Sequence, residues 1–406
     1  MKILTTAALT ALWLATGVLT TGLRAESGRI YGTILTQDGE TLEGWIRWDK
    51  NEAFWDDVID GTKEKEGRSR KKRSRDRSEN KWFNFNFDGS GIISGSARQT
   101  EIKLGHIESI IPVSSGEATV VLKSGKEFDI TGADIGSAVR EILILDKTEG
   151  EIYLDWDDID EITFKSETSE PQDGAERLFG KVTTRAGEEF VGWIEWDVDE
   201  VLSTDELDGD EDKRRNRKVE FGKIKSIERR SRSSAIVNLT NGKTMRLSGT
   251  NDVNSENRGI RVKSSDVSRI DIPWSEFDVV VFMPVPKDRI EGYSAFDGGQ
   301  ELHGTVYDED GKQYTGKIVW DDDERYTWEH LNGKYDDLDV IVEFSSIKSI
   351  ERDSHDAAIV TTRGGRNLVL SGSNDVDSDN NGIIVLQPDG DQVELDWYDF
   401  SKVEFK

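Results

Sequence analysis

The chain of 406 residues contains no cysteine, which excludes disulfides and thiolate metal sites together. Histidine is nearly as scarce. The four are His106, His303, His330 and His355, and none recurs at a matching place in the repeats described below. HExxH, GxSxG and phosphate-cradling glycine loops are absent, so a histidine triad or zinc site has little material to work with. Positive charge is in deficit as well: 53 Lys and Arg face 81 Asp and Glu, a net charge of −28. Such acidity disfavours duplex nucleic acid and anionic lipid as whole-protein partners, and it is compatible with divalent cations.

Long hydrophobic runs are confined to the start, "MKILTTAALTALWLATGVLTTGLRAESG". Lys2 is followed by no charge until Arg24, and Ala25 offers a cleavage point. This is the layout of a secretory signal peptide over residues 1–25, with an uncleaved anchor as the alternative. The expectation is an exported protein, periplasmic or secreted, with no membrane span once the signal is removed.

What the sequence has in quantity is repetition. "YGTILTQDGETLEGWIRWD" from Tyr31 returns as "FGKVTTRAGEEFVGWIEWD" from Phe179 and "HGTVYDEDGKQYTGKIVWD" from His303. Each copy closes on a tryptophan followed by Ile or Phe three residues later and Phe eight residues later. Those closing sets begin at Trp156, Trp274 and Trp397. The implied organisation is a first β-repeat domain at 26–166 carrying a charged, aromatic insertion, and a linker at 167–176. A second domain follows at 177–284, a linker at 285–300 and a third domain at 301–406.

Within each copy the apolar period is two. Ile46 and Trp48 share one face of "GWIRWD" while Trp45 and Arg47 share the other. Turns such as "QDGE", "RAGE", "KSGK" and "TNGK" bound the alternating runs, the pattern of antiparallel hairpins. The expected fold class is all-β: three tandem repeats of a small antiparallel β-barrel or sandwich. A strand, glycine turn and strand recurring at half the copy length resembles SH3-like half-units in pattern.

Two loops stand out for their oxygen-bearing side chains. "LSGTNDVNSENRGIRV" offers Asp252, Asn254 and Glu256, and "LSGSNDVDSDNNGIIV" offers Asp375, Asp377 and Asp379. Alternating acids and amides are what a hard cation takes from a tight loop, so calcium is the candidate cofactor. The EF-hand pattern is incomplete. Position six is Asn257 or Asn380 instead of glycine, and position twelve is Lys263 or Leu386 instead of glutamate. The same side chains also satisfy ordinary turns. The first copy's equivalent, "TGADIGSAVREILI", keeps little acid beyond Asp134, so a calcium site would belong to copies two and three.

The segment after each "WD" strand varies most and is the natural place for function. It carries Trp55, Trp82 and Trp328, candidate rings for stacking a sugar or peptide, or else rings that cap the end of a β-unit. The basic run "GRSRKKRSRDRSENK" lies in the same insertion of copy one and reads as a solvated loop in so acidic a chain. Acid pairs at the strand ends, Asp49 with Glu52, Asp197 with Glu200 and Asp321 with Glu324, are the remaining catalytic material. Their repetition favours a structural role instead. The leading expectation is a non-enzymatic repeat protein for envelope or extracellular interaction, its partner a protein or glycan. Carbohydrate binding is the first alternative and a glycoside-active enzyme the second.

Overall fold

The computed structural model describes residues 26–63, 98–211 and 215–406. The signal-peptide segment, the basic run and Trp82 lie outside them. Every regular element among the described residues is a β-strand or a three-residue 3-10 turn, and no helix is long and apolar enough to cross a membrane.

Ten strands build copy one: β1 (Tyr31–Thr36), β2 (Thr41–Trp48), β3 (Val58–Lys63), β4 (Arg98–Lys103), β5 (Ile107–Ser114), β6 (Glu117–Leu122), β7 (Glu127–Thr131), β8 (Ile142–Asp146), β9 (Gly150–Leu154) and β10 (Ile159–Phe164). They pair antiparallel in the order β4-β3-β7-β6-β5-β10-β1-β2-β8-β9. This sheet is open, with β4 and β9 at its edges. Strands β11 to β20 (from Phe179 to Phe282) and β21 to β30 (from His303 to Phe405) repeat the same set of ladders. They merge into a second, 20-stranded antiparallel sheet. The merger is a ladder between β19 (Arg269–Ile272) and β24 (Leu338–Glu343), with Ile270 opposite Val340.

Alternation in the sequence sets which side is buried. Along β2, Leu42, Ile46 and Trp48 face the core while Glu43 and Arg47 face outward. Burying a side chain such as Ile46 contributes about 1.5–3 kcal/mol. Gly44, Gly192 and Gly316 sit where the neighbouring strand passes closest. A Cβ there would lie 2.0 Å, 2.1 Å and 2.0 Å from the carbonyl oxygens of Leu145, Lys263 and Leu386. Copies two and three share one continuous hydrophobic cluster. Copy one has its own, which also takes in Phe296 and Trp328.

The second linker stretch does not hang free. Tyr293 donates its hydroxyl to Ile107 O at 2.8 Å, and Lys123 Nζ donates to Phe296 O at 2.9 Å. The segment between copies two and three is thereby tied across copy one. Copies one and two also meet through ion pairs, with Arg47 forked onto Asp205 at 3.0 and 3.1 Å and Arg177 onto Asp56 at 2.6 Å.

Candidate metal centre

Each "WD" strand ends in a turn that needs an unusual backbone. Asp197 and Val198 have φ of 50° and 59°, and Asp321 and Asp322 have φ of 49° and 64°. Aspartate tolerates the left-handed region better than most residues. The turn closes when Glu200 N donates to Trp196 O at 3.0 Å, and Glu324 N to Trp320 O at 2.9 Å. Asp and Glu are therefore brought to one side, three residues apart.

The preceding tryptophan places the third acid. Fully buried Trp196 donates its indole N–H to Asp252 O at 3.0 Å, and Trp320 donates to Asp375 O at 3.0 Å. The Asp252 carboxylate accepts from Asp208 N at 2.6 Å, and that of Asp375 from Asn332 N at 2.6 Å. Two clusters result: Asp197, Glu200 and Asp252 in copy two, and Asp321, Glu324 and Asp375 in copy three. In each, one oxygen from every carboxylate lies within 4.8 Å of the others. Glu200 Oε2 and Glu324 Oε2 are shielded from solvent without a hydrogen-bond partner.

So many buried acids suppress their own ionisation. Burial, followed by the neighbouring carboxylates, pushes Glu200 up to about 9 and holds Glu324 well above the usual range. Asp375 rises to about 8 and Asp321 to about 7, burial again the main cause. A divalent cation would remove both penalties, because hard oxygen donors are what calcium takes.

The loop after the third acid decides how the charge is met. Arg140, Arg258 and Asn381 occupy the same place in the three copies, their backbone N–H groups donating to Asp49, Asp197 and Asp321. In copy one the Arg140 guanidinium clamps Asp49 at 3.0 and 3.1 Å and reaches Asp199 at 2.9 Å. In copy two Arg258 Nη2 reaches Asp197 at 3.2 Å and also Asp199. In copy three the side chain is the neutral amide of Asn381, 3.2 Å from Asp321 Oδ1. Of the three copies, only the third lacks an arginine at this position.

Of the six loop residues singled out from sequence, only Asp252 and Asp375 enter these clusters. Asn254 Oδ1 accepts from Glu256 N at 2.6 Å, and Asp377 Oδ1 accepts from Asp379 N at 2.9 Å. Glu256 and Asp379 are exposed. Positions three and five of the loop thus cap their own turns, and the cluster is completed by the acids of the "WD" turn. Asp134 stands in the matching place in copy one, taking Trp48 Nε1 on its carbonyl at 3.1 Å and Asp60 N on its carboxylate at 2.7 Å.

The candidate stacking rings are inside the protein. Trp55 is 1% exposed and packs on Phe164 and Tyr293, with ring centroids 5.8 and 4.5 Å away. Trp328 is 0% exposed and stacks on Phe128 at 5.9 Å and Tyr326 at 6.3 Å. Both cap the β-core of copy one, and their faces are not open to a ligand. Trp45 and Trp193, on the outward face of their strands, are also buried, and Trp193 lies under the Arg177 guanidinium at 4.8 Å.

Sequence reasoning found both halves of each cluster, the repeated Asp-x-x-Glu and the loop acid, without joining them. It missed the role of Arg140, Arg258 and Asn381. The signal for both was alignment of the third copy against the first two, position by position. No family model matches the chain, and neither a curated protein nor a solved structure matches it.

Proposed function

We propose that the chain is an exported, non-enzymatic protein of three tandem β-units, each of barrel or sandwich kind. It serves interaction in the envelope or extracellular space and is stabilised by calcium at Asp321, Glu324 and Asp375. The observation that carries the calcium reading is Asn381. Two buried carboxylates and the half-buried Glu324 converge beside it, and the arginine that the other copies place there is replaced by a neutral amide. Export, read from residues 1–25, would put the protein where calcium is abundant. Extracellular calcium modules work with dissociation constants of about 10⁻⁴–10⁻³ M.

The non-enzymatic part rests on the way the acids are held. Each cluster is locked by a buried tryptophan and by backbone amides, an arrangement suited to holding shape. The glycan reading loses support, because Trp55 and Trp328 are buried and only Trp82 remains of its three rings.

Thermal unfolding of the mature chain in millimolar calcium and in chelator tests the proposal, beside Asp375→Asn. Calcium at tenfold its dissociation constant stabilises by about 1.4 kcal/mol. That is a few degrees in Tm, and Asp375→Asn is expected to abolish it. Superimposable melts in calcium and chelator would remove calcium from this description.

A further inference from the structure

Copies one and two line a half-open cavity of about 350 Å³ at their junction. Its walls carry both signs of charge, but the two signs are not equally satisfied. Lys263 Nζ lies 2.9 Å from Asp57 and 3.1 Å from Glu195. Arg261 pairs with Glu195 and Asp271, both at 3.1 Å, and Arg269 pairs with Glu101 at 3.2 Å and Asp271 at 3.1 Å. Every one of these cations is already matched.

The acid wall is different. Glu52 is 6% exposed, and its Oε2 has no hydrogen-bond partner, while its other oxygen is taken by Asn51 Nδ2. Asp60 Oδ1 on the same cavity is likewise buried and unpartnered. A buried acceptor left without a donor has given up its hydrogen bonds to water and received nothing in exchange. Arg140 and Arg258, also on the wall, are paired with Asp49, Asp197 and Asp199, so the cavity lacks an unpaired donor. An anionic ligand would have to break existing ion pairs, whereas a cationic one completes the wall.

Size and shape favour an organic cation over a metal ion. The volume falls within the range of about 300–1,000 Å³ for small-molecule sites. Among the described residues, acids converge to metal-ligand distance only in the clusters of copies two and three. Apolar surface is present too, from Val58 and Val198. Val198 has a φ of 59°, where a β-branched side chain is strained. The matching turn positions Lys50 and Asp322 are left-handed as well, with φ of 74° and 64°, so the turn fixes where Val198 stands.

We propose that this junction cavity binds a small aliphatic amine. Its protonated nitrogen donates to Glu52 Oε2 and Asp60 Oδ1, and its methylenes lie against Val58 and Val198. An ammonium carries three donors and no acceptor, which is what the acid wall requires. The site is separate from the calcium cluster and stands independently of it.

Isothermal titration of the full mature chain with 1,4-diaminobutane tests this, with calcium chloride and sodium phosphate titrated in parallel. The diamine is expected to bind the wild type. Affinity should fall at least tenfold in Glu52→Gln, and Asp375→Asn should leave it unchanged. Asp60→Asn, which is expected to weaken binding likewise, serves as the second variant should Glu52→Gln not fold. Three results would overturn the proposal: no heat with the diamine, equal affinity in the folded cavity variants, or diamine binding lost in Asp375→Asn. Phosphate binding that is lost in Arg261→Gln, with none by the diamine, would make the cavity an anion site and overturn it equally. Failure of the calcium melt leaves these outcomes untouched.

Discussion

Two regions of this molecule gather buried carboxylates, and they neutralise them in different ways. At the junction between copies one and two, buried Asp57 and Glu195 and half-buried Asp271 are met by Lys263, Arg261 and Arg269 from the chain itself. In the third copy, Asp321 and Asp375 are met by amides alone, and Glu324 Oε2 is met by no donor. A buried charge is tolerated when paired and is otherwise neutralised by taking up a proton or a cation. These three ion-paired carboxylates therefore hold as a property of the sequence, Glu52 and Asp60 of the adjoining cavity apart, whereas the copy-three cluster depends on its surroundings. The contrast is sharper because β12 (Glu189–Trp196) and β18 (Ile260–Lys263) have counterparts in the other copies. Lys263 stands opposite Trp193 where Leu145 and Leu386 stand opposite Trp45 and Lys317.

Breaking the junction should have the largest effect. Lys263→Leu restores the residue found in the other two copies but removes the ammonium shared by Asp57 and Glu195, which are buried beside it and keep only Arg177 and Arg261. Removing one partner of a buried pair costs about 3–5 kcal/mol. Urea unfolding should show that loss, and a cost below that of an exposed lysine substitution would end the claim that the junction is internally neutralised.

The same pairing fixes a pH dependence. Burial works against ionisation of Glu195, but the Lys263 ammonium and the Arg261 guanidinium outweigh it and hold the carboxyl at about 2. A carboxyl depressed on folding contributes stability above its unfolded value near 4.5 and loses it as pH falls through about 2. The loss across that window is on the order of 3 kcal/mol, since each tenfold change in an ionisation constant is worth about 1.4 kcal/mol. Urea midpoints measured from pH 5 down to pH 2 should fall in the wild type and fall less steeply in Lys263→Leu. Parallel slopes would mean that Lys263 is not what holds Glu195 ionised.

How much of this could be read from the sequence follows from what each feature depends on. Strand alternation in "GWIRWD" and "GWIEWD" depends on neighbours one and two residues away, so the antiparallel all-β architecture was legible. The Asp-x-x-Glu of the "WD" turn was legible as a repeated pair for the same reason. Its union with Asp252 and Asp375 was not, because it is made by indole N–H groups reaching 56 and 55 residues along the chain. The loop misled, since Asn254 and Asp377 have ligand-like spacing yet spend their oxygens on local turn amides. Burial of Trp55 and Trp328 was hidden for another reason. Trp328 belongs to copy three by sequence but packs in the core of copy one.

Next in size is the third cluster. Asn381→Arg would give it the guanidinium that Arg140 and Arg258 supply elsewhere. A charge-assisted hydrogen bond of this kind contributes about 1.5–3 kcal/mol. In chelator the variant should melt above the wild type, and its calcium increment should vanish. Arg258→Asn is the reciprocal change, expected to lower the calcium-free Tm and to create a calcium response in copy two. If neither variant alters the difference between calcium and chelator, the arginine-for-cation exchange does not operate.

The smallest expected effect is none at all, and it bears on the alternative that the aromatic insertions bind glycan. The ten described tryptophans, from Trp45 to Trp397, are at most 9% exposed. Their emission should respond weakly to acrylamide and not at all to polysaccharides, since a quencher must reach the ring. Trp55→Phe and Trp328→Phe should therefore leave any polysaccharide response unchanged, losing stability instead through the packing they share with Phe164, Tyr293 and Phe128. Any response that exists should disappear in Trp82→Phe. A polysaccharide that shifts emission in Trp82→Phe but not in Trp328→Phe would require the copy-one core to open on binding. The contrast between a self-neutralised junction and a cation-dependent third copy would then have to include a copy one that opens for its ligand.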